Sequence, residues 1–185
     1  EGNINRQVQA LGCTVGQSKA LALCARLADI HPGCVLRPVE EFVDADNWPT
    51  LLAHPVDALI DACDQVRAKA VLAAWAISSG TAFVSVGAAG GRQRPQAVEV
   101  SDVAEATHDP LLAALRQRLR QHHGAARSGP IGARCVYSRE AVRPPELAGD
   151  TEGNLNCHGY GSSVTVTATF GMVAASEVLR AWLSR

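Results

Sequence analysis

The chain has 185 residues, of which 47% are hydrophobic and 19% charged, with a formal net charge of −1. This length and mix suit a globular domain with a real core, and the near-zero charge excludes bulk electrostatic capture of nucleic acid, so any RNA contact needs a local basic patch. No apolar run reaches the roughly 18 residues that span a bilayer and no signal-peptide pattern is present, so the expectation is a cytoplasmic protein with no membrane partner.

The opening segment, Gly2-Asn3-Ile4-Asn5-Arg6-Gln7 after Glu1, is polar and turn-like, and further sequence is expected upstream of it. Gly16 to Ile30 is predicted as a helix, with Leu23, Leu27 and Ile30 at helical spacing and Pro32-Gly33 ending it. Cys34 to Val39 is predicted as a short strand, and Asp46-Asn47 as the cap of a short helix through Ala53. Asp57 to Cys63, with its apolar Ala58-Leu59-Ile60 run, reads as a buried parallel strand opening into a site at its C-terminal end. Val66 to Ser79 is predicted as a helix closed by Gly80, Ala82 to Val86 as another buried strand, and Gly87 to Gly91 as a flexible loop. Ala97 to Val100 is expected to be a strand, and Pro110 to His122 a helix with Pro in its first turn. Arg143 to Gly161, rich in Pro, Gly, Asp and Asn, is the expected mobile loop. The β-branched alternation of Val164 to Phe170 favours a strand, whereas its continuation through Val173, Val178, Leu179 and Leu183 favours a helix. The alternation through residue 86 predicts an α/β domain with a mainly parallel sheet and helices on both faces.

Six cysteines are present: Cys13, Cys24, Cys34, Cys63, Cys135 and Cys157. None forms a C-x-x-C pair, so no structural zinc is expected and most of the thiols are read as reduced. Cys24 and Cys63 sit in apolar runs and are expected in the core. Cys157-His158 is adjacent in sequence, but neighbours often point apart, so the pair does not by itself make a nucleophile. Gly159-Tyr160-Gly161 lacks the third glycine and the preceding strand of a dinucleotide fingerprint.

Three short segments have the chemistry for phosphate. Asn3 to Gln7 gathers two asparagines, a glutamine and a guanidinium, whose planar fork suits phosphate oxygens, or it is a solvated loop. Lys19, one of two lysines against fifteen arginines, lies in a first helical turn where anions collect, or is a surface lysine. Asp61-Ala62-Cys63-Asp64 closes a strand where a carboxylate holds a nucleotide-bound metal, or where Asp64 caps the next helix. Arg116, Arg118, Arg120, His122, His123 and Arg127 make one helix and its exit basic, which is either an RNA-facing surface or a solvated face.

The order and spacing of these segments carry a resemblance. Asn3-x-x-Arg6-Gln7, Val15-Gly16-x-x-Lys19 and Asp61-x-x-Asp64 together resemble the diagnostic series of the ThiF/MoeB/HesA-like superfamily, which includes the ubiquitin-activating enzymes. The resemblance implies that Asn3, Gln7 and Lys19 bind ATP, that Arg6 and Asp64 bind it and act in catalysis, and that Asp64 holds the magnesium of the nucleotide. The blocks Val86 to Gly91, His108-Asp109-Pro110-Leu111, Arg134 to Ser138 and Thr165 to Gly171 resemble one branch, the tRNA threonylcarbamoyladenosine dehydratases. That branch implies a Rossmann-like fold with a C-terminal helix from Val164, ATP and Mg2+ as cofactors, tRNA as substrate, a homodimer, and contact with sulfur-transfer proteins of the cysteine desulfurase system.

The family's glycine-rich nucleotide loop would precede Asn3. Residues 1–185 are therefore expected to be one N-terminally incomplete ThiF-type domain, inactive alone. Two other readings stay open on sequence: a sulfur-carrier adenylyltransferase, and a truncated, non-enzymatic dimerisation module.

Overall fold

A computed structural model describes residues 4–142 and 161–185. The chain divides into two compact units, Glu1–Phe42 and Val43–Arg185. In the smaller, a 3-10 turn at Gly12–Thr14 precedes helix α1, Lys19–Ile30. The Thr14 hydroxyl ties this turn together by accepting from the Leu11 amide and donating to the Gln9 carbonyl. Leu23, Leu27 and Ile30 follow the helical period but are exposed, and Ala22 is the buried residue of α1. The strand expected over Cys34 to Val39 does not form. Val35 and Val39 are exposed, Pro38 has no N–H to give, and the extended backbone finds no neighbouring strand among the described residues.

The larger unit is built on a four-stranded sheet in the order β1-β2-β4-β3, comprising β1 Ala58–Asp61, β2 Ala82–Val86, β3 Val98–Asp102 and β4 Arg134–Ser138. β1, β2 and β4 are parallel, and β3 runs antiparallel to β4. Helices α2, Val66–Ser79, and α3, Pro110–His122, pack on one face around Leu72, Phe83, Leu112, Leu115 and Tyr137. Helix α4, Val164–Leu183, covers the other face. Its buried residues Val166, Phe170, Ala174 and Val178 fall four apart, on one helical stripe. Burial of that stripe overrides the β propensity of Val164 to Phe170, and Ser163 starts the helix by accepting from the Thr165 amide. The result is an α/β, Rossmann-like layering of a mainly parallel sheet between helices, with a C-terminal helix.

Four further sequence expectations are corrected. β1 is an edge strand among the described residues, so Ala58 and Ile60 are exposed and only Asp61 is buried. Residues 46–53 form separate turns rather than a helix. The Asp44 carboxylate accepts from the Asp46 and Asn47 amides and the Asn47 side chain accepts from the Asp44 amide, while Pro49 supplies no N–H; Trp48 nonetheless anchors the segment edge-on against Trp75 of α2. The Gly87 to Gly91 loop is pinned rather than flexible, because the Gly87 amide donates to the Val136 carbonyl and the Gly91 amide to that of Gly161. Cys24 and Cys63 are half-buried, and among the described residues Cys135 on β4 is the cysteine in the core. The expected loop Arg143 to Gly161 lies, apart from Gly161, outside the described residues.

Candidate functional site

In the smaller unit, Gly16 turns the chain with φ +85° directly before α1, a conformation that glycine adopts without steric cost. The turn and the first residue of α1 line a cavity of about 140 Å³ whose walls include Ile4, Gln7, Thr14, Val15, Gly16 and Lys19. Two of the sequence-predicted nucleotide residues, Gln7 and Lys19, thus meet at one hollow. Arg6 is half-buried and its guanidinium donates to the Asn5 side chain 3.0 Å away. Asn3 lies outside the described residues.

In the larger unit, Asp64 is exposed in the turn that follows β1. The N-cap position of α2 is Gln65, and Asp64 stands one residue before it. Beneath the turn lies an ion pair that sequence reading did not predict. Lys69 Nζ sits 2.9 Å from Asp61 Oδ2, with both side chains fully buried. The same ammonium donates to the carbonyls of Cys63, at 3.1 Å, and Val86, at 2.8 Å. Asp61 also accepts from the Ser85 hydroxyl at 2.8 Å, the Cys63 thiol at 2.8 Å and the Cys63 amide at 3.1 Å. Burial, reinforced by the adjacent Asp61 carboxylate, pushes the Cys63 thiol up to about 12, so it stays protonated.

A second buried charge cluster holds the other side of the β2 terminus. Arg92 is 2% exposed and donates to the carbonyls of Ala88, His108, Ser138 and Glu140 and to Asp109 Oδ2. Burial draws the Arg92 guanidinium below its ordinary range, while Asp109 and Glu140 oppose that shift. Asp109 caps α3 through the Leu112 amide and binds the Ala88 amide. Gly87 is required here, since a Cβ on it would stand 2.3 Å from Asp109 Oδ2. The only sequence signals for these clusters were a lysine inside the apolar run of α2 and an Asp-Pro pair at the start of α3.

The basic helix α3 is partly internal. Arg116 donates to the Val103 and Ala106 carbonyls and Arg120 to that of Ala126, so both guanidinia secure backbone. Among the described residues no group of three His, Cys, Asp or Glu side chains is placed to hold a metal ion, and no helix is long and apolar enough to cross a membrane. Cys157 and His158 lie outside the described residues.

The model of the ThiF family matches residues 1–185. The tRNA threonylcarbamoyladenosine dehydratase of Escherichia coli (strain K12) is 36% identical over 195 residues, covering 99% of this chain and 73% of that protein. The dehydratase of Haemophilus influenzae is 31% identical, covering 96% of this chain and 70% of its own. Among solved structures, the E. coli tRNA N6-threonylcarbamoyladenosine dehydratase in complex with ATP matches with a TM-score of 0.87 at 36% identity, over 98% of this chain and 70% of that one. Its complex with AMP matches with a TM-score of 0.88, over 98% and 71%.

Proposed function

The chain belongs to the ThiF family, and from that membership we propose that it acts as an ATP-dependent dehydratase that cyclises threonylcarbamoyladenosine in tRNA. The observation that carries this reading is the likeness, over 98% of the chain, to a dehydratase solved with ATP. The reaction needs a carboxylate oxygen made into a leaving group. Attack of the substrate carboxylate on the α-phosphate of ATP gives an acyl adenylate and pyrophosphate. A nucleophilic atom of the same modified base then attacks the acyl carbon, loses its proton and expels AMP as the ring closes. The enzyme's work is to align these groups and neutralise phosphate charge.

In this reading Arg6 and Lys19 bind phosphate, with Asn3 and Gln7 supplying polar contacts to the nucleotide. Lys19 has the position for it, exposed at the start of a helix and lining a hollow with Gln7. Asp64 fits magnesium by donor chemistry: it is an exposed, hard carboxylate beyond a parallel strand. With no cluster of protein ligands around it among the described residues, the metal would take its remaining ligands from phosphate and water. Magnesium, when bound, supplies charge neutralisation across the phosphates. The homodimer and the sulfur-transfer partners implied by the resemblance belong to the same proposal. The outward apolar face of α4, with Met172 and Leu183 about three-quarters exposed, supports the dimer.

The test is AMP release by the intact protein. It is expected to depend on tRNA bearing the modified adenosine. Pyrophosphate release driven instead by a carrier protein ending in Gly-Gly, with AMP left joined to the carrier's terminal carboxylate and no AMP released on tRNA, would move the assignment to the sulfur-carrier adenylyltransferases.

A further inference from the structure

We infer that Lys69 is a positioning residue for Asp64, fixing the turn from which that carboxylate reaches the nucleotide-bound metal; this role rests on the reading of Asp64 given above. An ammonium has three N–H donors. Here it has three acceptors, each from a different piece of chain: Asp61 at the end of β1, the Cys63 carbonyl in the turn, and the Val86 carbonyl at the end of β2. The Cys63 carbonyl belongs to the peptide bond that joins Cys63 to Asp64. The amide on the other side of Cys63 is held by Asp61 Oδ1. The residue before Asp64 is therefore gripped through both of its peptide groups by the two members of one buried ion pair, and Ser85 Oγ holds the carboxylate of that pair from β2.

Stability alone gives little reason for such a pair, because removing two charges from water offsets most of their mutual attraction, and apolar replacements of similar volume often serve as well. The pair provides a fixed geometry that an apolar plug cannot. It ties the Asp61 to Asp64 turn to the tip of β2 by directional bonds. Asp64 itself is exposed and extends from a rigid base, the arrangement a metal-binding carboxylate needs if metal and nucleotide are to reinforce each other.

The experiment measures, in the intact protein, the factor by which Mg2+ tightens ATP binding, by calorimetric titration with the metal present and with it chelated. A purely structural role for Lys69 lowers the melting temperature and leaves this factor unchanged in the folded protein. Asp64→Asn is the reference and is expected to abolish the factor. The double variant Asp61→Asn/Lys69→Met avoids stranding a buried charge. It is expected to cut the factor by roughly fivefold or more, the usual scale of coupling between sites, with metal-free ATP affinity little changed. If Asp64→Asn keeps the full factor, the metal role of Asp64 is wrong and the role of Lys69 falls with it. If Asp64→Asn abolishes the factor and the folded double variant retains it, only the positioning role is overturned. Should the double variant not fold, Ser85→Ala decides: a smaller drop in the same direction supports the inference, and an unchanged factor overturns it.

Discussion

The two lysines of the chain stand near the starts of two helices and meet opposite surroundings. Lys19 opens α1, is exposed, and lines a hollow in a unit where Ala22 is the buried residue among those described. Lys69, one turn into α2, is fully buried against Asp61, and α2 buries Ala68, Ala70, Leu72, Ala73 and Ala76 beside it. A cation at a helix start is thus two different devices. With water on one side it can receive a ligand; with every donor satisfied by its own chain it holds backbone in place. The contrast predicts that substitutions at α1 change binding with little effect on folding, and that substitutions at α2 do the reverse or both.

The largest effect is expected from Lys69→Met, which leaves Asp61 charged and unpaired in the interior. Breaking such a pair costs about 3–5 kcal/mol, and chemical denaturation should show it as a lower midpoint. Stability equal to the parent would mean that the ion pair is not buried in solution. Next is Gly87→Ala, whose Cβ would meet Asp109 Oδ2 at 2.3 Å and Leu112 Cδ1 at 3.1 Å. Overpacking of this kind costs about 1–3 kcal/mol, and the displaced carboxylate would loosen its hold on Ala88 and α3.

At the other pole, Arg6→Ala is expected to weaken ATP binding by about 1.5–3 kcal/mol, the range for a hydrogen bond to a charged group. Its unfolding midpoint should stay within about 0.5 kcal/mol of the parent, as for surface changes generally. A destabilised protein with unaltered ATP affinity would invert the comparison.

The smallest effect is in the thiols. Burial pushes Cys135 up to about 12 from an ordinary 9.0, and Cys63 likewise. A folded-state value above the unfolded one favours the protonated native form. This contribution is complete below pH 9 and is lost as pH rises toward 12. Cys13 and Cys34, both exposed, should react with a thiol reagent at pH 8 well before Cys63 and Cys135. Equal rates at all four would show that the core opens freely.

Sequence reading did well where punctuation and burial agree. Gly80, in the left-handed conformation, closes α2, and Pro110 behind the Asp109 cap opens α3, at the boundaries expected. It failed where the answer depends on a distant neighbour. Cys34 to Val39 has strand chemistry, but no strand among the described residues pairs with it, and Val164 to Phe170 alternates like a strand yet is claimed by the stripe from Val166 to Val178. For the site, Arg6, Gln7, Lys19 and Asp64 stood out only through a family resemblance in their order and spacing; of these, the structure brings Gln7 and Lys19 to one hollow, and the nucleotide roles belong to the proposed function. The supports at Lys69 and Arg92 were not legible. Their partners lie on other elements, Val86 for Lys69 and Ser138 for Arg92, and a lysine inside the apolar run of α2 or an Asp-Pro pair before α3 does not say which distant groups it meets.

The most direct measurement is made on the nucleoside itself. The intact protein is incubated with ATP, Mg2+ and tRNA carrying threonylcarbamoyladenosine, the RNA is digested, and the modified nucleoside is weighed by mass spectrometry. The account predicts ATP-dependent loss of one water from that nucleoside, abolished in Asp64→Asn and strongly reduced in Arg6→Ala. An unchanged nucleoside mass in the presence of folded, ATP-binding protein would contradict it.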